Sequence, residues 1–257
     1  MPTVLITGAS MGLGAEFARI AAEEGDTVIL TARSLDRLEV LSSELQERFS
    51  CTVHVVPLDL AQPGAAIALF EEVRQSGLSV DVLVNNAGFG LQGPFLEHRV
   101  DDERRLLELN VQALTELCHL YGAEMVERGS GQIMNVASIA AFQAGPYLAS
   151  YYASKAYVLS FSEALAHELR SQGVSVTALC PGPTRTEFFR NAGMTGTSLS
   201  RSPVMMSAAE VAQCGWRGMQ QGKQVVITGR LNQLLAFSTR LSPRRWTSAI
   251  SGFLNRG

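Results

Sequence analysis

The stretch Thr3-Val4-Leu5-Ile6-Thr7-Gly8-Ala9-Ser10-Met11-Gly12-Leu13-Gly14 decides the fold class. Residues 3–7 form a short β-branched apolar run with little polar alternation, the pattern of a strand covered on both faces. Glycines then punctuate the chain, and an amphipathic helix is expected to about Glu24. Strand, glycine-rich turn and helix in that order aim backbone N–H groups and a positive dipole end at a phosphate. Gly8 would permit the tight turn, Gly12 the close approach of a pyrophosphate, and Gly14 the packing of helix on strand. The spacing is G-x-x-x-G-x-G rather than G-x-G-x-x-G. Its place directly after the first strand is what makes dinucleotide binding the reading.

Outward from that turn, the second strand is expected at Thr27–Thr31. An NAD site commonly puts Asp or Glu after it for the adenosine 2′-hydroxyl, and an NADP site an Arg for the 2′-phosphate. The chain reads Ala32-Arg33-Ser34, with no acid before Asp36. Arg33 therefore points to NADP(H) over NAD(H); its competing role is a solvated arginine opening the helix 34–48. A third strand, Thr52–Val56, leads to Asp59-Leu60. A carboxylate there would accept from an adenine amino group or cap a helix, although Pro63 moves the helix proper later. The fourth strand, Val80–Val84, ends in Asn85-Asn86-Ala87-Gly88. Paired amides at a strand's carboxyl end suit backbone bracing and cofactor contact, and an Asn/Gly turn is the plainer alternative.

Residues 101–128 read as one long helix, started by Asp101 and Asp102, with Leu106, Leu109, Leu114, Leu117 and Leu120 on its apolar side. Asn110 falls among these leucines, where an amide needs partners, structural or functional. The fifth strand, Gln132–Val136, delivers Ser138 at its carboxyl end. After the loop Ala140–Gly145 comes a helix to about Arg170 that carries Tyr151-Tyr152-Ala153-Ser154-Lys155. On a helix, Tyr151 and Lys155 share a face one turn apart. An ammonium beside a phenol favours the phenolate, so the tyrosine is expected to titrate below its ordinary value and to exchange a proton with a carbonyl or alcohol oxygen. No other tyrosine has a lysine four residues on, and the remaining lysine is Lys223. Strand six is expected at Val174–Leu179, before Cys180-Pro181-Gly182-Pro183-Thr184, and strand seven at Val225–Ile227. Strand and helix alternate throughout, so the expected fold is α/β: a single-domain, Rossmann-like, doubly wound parallel sheet with helices on both faces, over residues 1–257.

The bulk properties agree. A chain of 257 residues that is 46% apolar can bury one large core. A net charge of −3 gives no reason to expect nucleic acid as a partner. Cys51, Cys118, Cys180 and Cys214 show no metal-ligand spacing, so no metal site is expected. Met1-Pro2 runs straight into the first strand, and no apolar run of about 18 residues occurs, which sets the expectation of a cytoplasmic protein.

Taken together, Thr7-Gly8, Ser10, Gly12, Gly14, Asp59, Asn85-Asn86-Ala87-Gly88, Asn110, Ser138, Tyr151-x-x-x-Lys155 and Pro181-Gly182 resemble the short-chain dehydrogenase/reductase superfamily, in the order expected over residues 3–190. The later chain is similar to its bacterial-type oxidoreductase branch. The resemblance implies that Tyr151 is the general acid in reduction or base in oxidation. Lys155 would lower its pKa and hold the nicotinamide ribose hydroxyls, Ser138 would bind the substrate oxygen, and Asn110 would anchor a water linking Lys155 to solvent. It also implies a cofactor site lined by Gly8, Ser10, Met11, Gly12, Leu13, Gly14, Arg33, Asp59, Leu60, Asn86, Ala87, Gly88, Pro181, Gly182 and Thr184, with Thr184 at the nicotinamide carboxamide. The implied assembly is a homodimer or homotetramer touching through the helices 101–128 and 150–170.

Two segments bear on substrate and partners. Residues 184–206 carry Phe188, Phe189, Met194, Met205 and Met206 and read either as a lid over an apolar carbonyl substrate or as packing under a long loop. The tail 230–257 mixes apolar residues with Arg240, Arg244, Arg245 and Arg256, broken by Pro243. Packing on its own domain or on a neighbouring subunit is the expectation, with peripheral membrane contact the less favoured alternative. The expected function is NADP(H)-dependent interconversion of a ketone or aldehyde and an alcohol. The alternatives are a catalytically silent dinucleotide-binding regulator and an epimerase or dehydratase of the same superfamily.

Overall fold

A computed structural model describes residues 1–194 and 205–256. The first half alternates β1 (Thr3–Thr7), α1 (Gly12–Glu23), β2 (Thr27–Ala32), α2 (Leu35–Phe49), β3 (Val53–Pro57), α3 (Ala65–Gln75) and β4 (Val82–Asn85). There follow α4 (Val100–Leu107), α5 (Leu114–Arg128), β5 (Gly131–Val136), α6 (Ala149–Leu169) and β6 (Val174–Cys180). The chain continues through a short β7 (Thr184–Arg185), α7 (Phe188–Asn191), β8 (Met206–Ser207), α8 (Ala208–Gln220), β9 (Val225–Ile227), α9 (Arg230–Leu241) and α10 (Arg244–Asn255).

Seven strands form one sheet in the order β3-β2-β1-β4-β5-β6-β9, and every neighbouring pair is parallel. Strand side chains alternate between faces. Leu5, Ile29, Leu83 and Ile133 therefore join α3, α5 and α6 in one core layer. Val4, Ile6, Val28, Leu30, Val84 and Met134 join α1, α2 and α8 in the other. Both layers are closed, which is why β1 is buried along its whole length and its sequence does not alternate. Strand order reverses between β1 and β4, and a sheet wound this way opens a crevice at the carboxyl ends of those two strands. Among the described residues no helix is long and apolar enough to cross a membrane.

The long helix expected over 101–128 is interrupted. Between α4 and α5, residues Glu108–Ala113 form a π-helical turn, and Asn110 lies within it. The wider turn absorbs one extra residue, so Leu106 and Leu114 both stay buried on either side. A second polar device fixes α6 to the sheet. Asn85 donates to Asn135 (2.9 Å), Asn135 to Ser162 (2.9 Å) and Ser162 to the Val158 carbonyl (2.6 Å). A buried amide left without partners costs about 1–3 kcal/mol, so this chain of bonds sets the seating of α6, the helix that bears Tyr151 and Lys155.

Candidate active site

The glycine-rich turn is held by its neighbours across the crevice. Thr7 Oγ1 accepts from the backbone N–H groups of Asn86 and Ala87, each at 3.0 Å, and the Asn86 side chain donates to the carbonyls of Thr7 (2.9 Å) and Gly8 (3.2 Å). Gly8 has φ of +66°, and a Cβ there would lie 2.9 Å from Ala87 Cα. Only glycine fits that conformation at that distance. A Cβ at Gly14 would overlap the Gly8 carbonyl oxygen, so Gly14 serves the close packing of helix on turn. Of the adjacent amides, Asn86 braces the turn, whereas Asn85 points into the core network.

One cavity of about 940 Å³ runs from this turn along the strand ends to α6. Every expected site residue lines it except Gly14 and Asn110. At one end Arg33 is exposed on its rim and makes no hydrogen bond or ion pair among the described residues. Nearby, Asp59 accepts from Ala61 N–H (3.1 Å) and pairs with Arg105 (2.9 Å). Although burial opposes it, these hydrogen bonds hold the Asp59 carboxyl below its ordinary value.

At the other end, Ser138 follows β5 in extended backbone and accepts from Ala140 N–H at 3.1 Å. Its hydroxyl faces the Tyr151 phenol and works against the upward shift of that group. Lys155 is 5% exposed and donates to the Val136 carbonyl at 2.7 Å. Its Nζ lies 5.8 Å from the centre of the Tyr151 ring. Phe188 of α7 packs on the same ring with centroids 5.2 Å apart.

The titration of this pair differs from expectation. Burial pushes the Tyr151 phenol up rather than down, and the neighbouring Ser138 hydroxyl only partly offsets it. Burial lowers Lys155 from its ordinary value to about 8, which leaves it mostly protonated at neutral pH. Desolvation always disfavours the charged form, and here it outweighs a lysine that is turned toward a carbonyl. The phenol is thus held as a proton donor. The ammonium has three donors and spends one on Val136, so it retains capacity to hold ribose hydroxyls.

Asn110 does not line the cavity. Its amide donates to the Phe89 carbonyl (2.9 Å) and Ser154 (3.1 Å), and its oxygen accepts from Phe89 N–H (3.1 Å). Ser154 in turn donates to the Tyr151 carbonyl at 2.7 Å. This side chain bridges the Phe89 backbone to Ser154 of α6 and so helps to position the helix that bears Tyr151. Thr184 lines the cavity but donates its hydroxyl to the Gly182 carbonyl at 2.9 Å.

Sequence reasoning quoted Thr7 in the motif without giving it a role, and it missed the Val136 carbonyl and Ser154. Ser154 carried a signal, being a serine in mid-helix three residues after Tyr151, a spacing from which it bonds back to a carbonyl. It also missed the far wall of the cavity, which Leu231 and Leu235 of α9 and Ile250 and Leu254 of α10 supply. The two readings of residues 184–206 turn out to be compatible. Phe188, Phe189 and Met194 line the cavity and also pack as a small core with Ala140, Leu148 and Tyr152. Residues 195–204 of that expected lid lie outside the described residues.

A proton donor at the end of a cavity that begins at a phosphate-binding turn calls for a redox partner in between. A volume near the top of the range of small-molecule sites, roughly 300–1,000 Å³, has room for one, and the glycine cradle and the free donors of Lys155 fit a dinucleotide. The class is a nicotinamide dinucleotide oxidoreductase. Comparison with known proteins gives the family: the short chain dehydrogenase model matches residues 2–195, and the chain belongs to that family, whose members act on CH–OH and C=O groups. Over 249 residues it is 32% identical to dehydrogenase/reductase SDR family member 7B of Mus musculus, covering 93% of this chain and 77% of that protein. Among solved structures, a short-chain dehydrogenase from Sphingobium yanoikuyae in complex with NADPH is 32% identical with a TM-score of 0.84, over 94% of both chains. A bulky-bulky ketone specific alcohol dehydrogenase from Comamonas testosteroni is 31% identical with a TM-score of 0.79, over 94% of this chain and 93% of that one.

Proposed function

We propose that the protein is an NADPH-dependent reductase of an apolar, sterically large ketone or aldehyde. The observation that carries this reading is the placing of the Tyr151 phenol, Ser138 and Lys155 together in a pocket walled by Phe188, Phe189 and Leu148. When bound, the dinucleotide supplies the hydride. Ser138 and Tyr151 hold the carbonyl oxygen, and Tyr151 gives that oxygen its proton as negative charge develops there. Lys155, fixed by the Val136 carbonyl, holds the cofactor ribose. Phe188 covers the Tyr151 ring and keeps water from it.

Arg33 supports NADPH over NADH: an unpaired guanidinium at the cavity rim suits a 2′-phosphate. The kinship with an NADPH-bound structure and with a bulky-ketone dehydrogenase supports the same choice of cofactor and substrate class. NADPH oxidation over a panel from acetone to aryl and cyclic ketones tests it. Turnover should rise with apolar bulk, and Arg33→Ser should raise the KM for NADPH about tenfold or more with little change for NADH. Equal use of both dinucleotides by the native protein would contradict the assignment of Arg33.

A homo-oligomer formed through the long helices is part of the proposal. Tyr157 on α6 stays 40% exposed while stacked on Phe161 and bonded to Thr115 of α5 (3.0 Å). A monomer mass by light scattering would remove that part.

A further inference from the structure

The tail is amphipathic in the reverse of the usual sense. A surface helix normally turns its apolar stripe to the core. Here the inward residues of α9 and α10 are Asn232, Ala236, Ser251, Gly252 and Asn255. Asn255 is fully buried. Its side chain accepts from Tyr152 (3.2 Å) and donates to the Pro146 carbonyl (2.9 Å), while its carbonyl accepts from Gln92 (3.2 Å). With the polar side spent on the body of the protein, the large side chains face out. Leu234, Phe237, Leu241, Trp246, Ile250 and Phe253 are each between 56% and 77% exposed. So continuous a display of aromatic and aliphatic groups on a soluble surface calls for something to cover it.

Charge identifies the cover. Arg230, Arg240, Arg244, Arg245 and Arg256 lie in these helices or directly after them, with no acid from residue 230 onward. None of them takes part in an ion pair among the described residues. The rest of the chain carries 16 basic and 24 acidic side chains, so the two helices that display the apolar groups are the basic part of an otherwise acidic molecule. A twofold contact between copies through this face would set one arginine cluster against another. Aromatic side chains flanked by arginines instead match the boundary between headgroups and acyl chains in an anionic bilayer.

We propose that α9 and α10 form a peripheral docking surface for anionic membranes. Both helices line the cavity, and Leu235 and Ile250 contribute to its lining while remaining half or more exposed. A carbonyl substrate dissolved in lipid would then enter directly from the bilayer. That consequence rests on the reductase reading; the docking itself does not, and its test needs no turnover.

The test uses the full chain with vesicles of phosphatidylcholine alone or mixed in equal parts with phosphatidylglycerol. Co-sedimentation should be at least about tenfold stronger with the anionic vesicles and should weaken with salt. The other tryptophan, Trp216, is buried. A blue shift of fluorescence on vesicle addition, lost in Trp246→Phe, should therefore report insertion at Trp246. Phe237→Ser/Phe253→Ser should reduce binding at least about tenfold, and Arg244→Glu/Arg245→Glu should abolish the preference for anionic lipid, both with unchanged circular dichroism. Absence of sedimentation at low ionic strength, or no spectral shift at Trp246, would overturn the proposal. So would a Phe237→Ser/Phe253→Ser variant that binds vesicles like the native chain but has a smaller oligomeric mass, because the face would then be a subunit contact.

Discussion

Lys155 is the residue whose surroundings say most about the site. Its ammonium is buried, and its pKa in the fold is about 8 against an ordinary 10.5. The unfolded chain binds that proton more tightly, so stability rises with pH as the group loses its proton between about 8 and 10.5. Below that window, the buried charge costs stability that Val136 alone does not restore. In Lys155→Met the cost is absent at every pH. Denaturant unfolding of both proteins without cofactor, at pH 7.5 and pH 10, should show the native chain gaining on the variant by up to about 3 kcal/mol. A constant gap would mean that the ammonium is solvated and that burial does not tune it. The Tyr151–Lys155 pairing was legible from helical spacing together with the glycine turn and Ser138 around it. The direction of the phenol's shift was not, because it is a balance between burial, to which the Phe188 ring contributes, and the opposing Ser138 hydroxyl, and both residues arrive from elsewhere in the chain.

At the level of elements, the π-turn between α4 and α5 does for α6 what the glycines do for the phosphate turn. It lets Asn110 reach the Phe89 backbone on one side and Ser154 on the other, and Ser154 holds the carbonyl of Tyr151. Asn110→Ala leaves the partly buried N–H and carbonyl of Phe89 without their side-chain partner and should cost about 1 kcal/mol or more. Because the bridge steadies Tyr151, kcat should fall while the KM for NADPH changes little, and Asn110→Asp should recover part of kcat. Loss of stability with unchanged kcat would reduce Asn110 to a packing role. The turn had a sequence signal: Leu106, Leu109, Leu114 and Leu117 are spaced by three, five and three, and the step of five is a π-helical one. Reading the leucines as one stripe smoothed over it. The seven strands of the main sheet and the phosphate turn were easier, since their patterns are local and each strand lies within two residues of its expected place, whereas the two-residue β7 and β8 left no pattern to read.

In the whole molecule, the two ends of the cavity are brought together only by sheet order. Adjacent β1 and β4 bring Gly8 and Asn86 into contact, and β5 and β6 set Ser138 and Pro181 beside α6. Alternation of strand and helix was enough to anticipate that crevice. It was not enough to anticipate the tail as its wall, because the contact that seats α10, Tyr152 to Asn255, spans 103 residues and leaves no periodic trace. The account as a whole requires these distant pieces to perform one reaction through one proton. Tyr151→Phe removes that proton and little else, since the ring keeps its contact with Phe188. The measurement is NADPH oxidation with the best ketone of the panel, by native protein and Tyr151→Phe, alongside NADPH affinity by fluorescence titration. Turnover should fall by about 10²–10⁴-fold with the affinity held within about threefold. A variant that reduces the ketone at the native rate would contradict it.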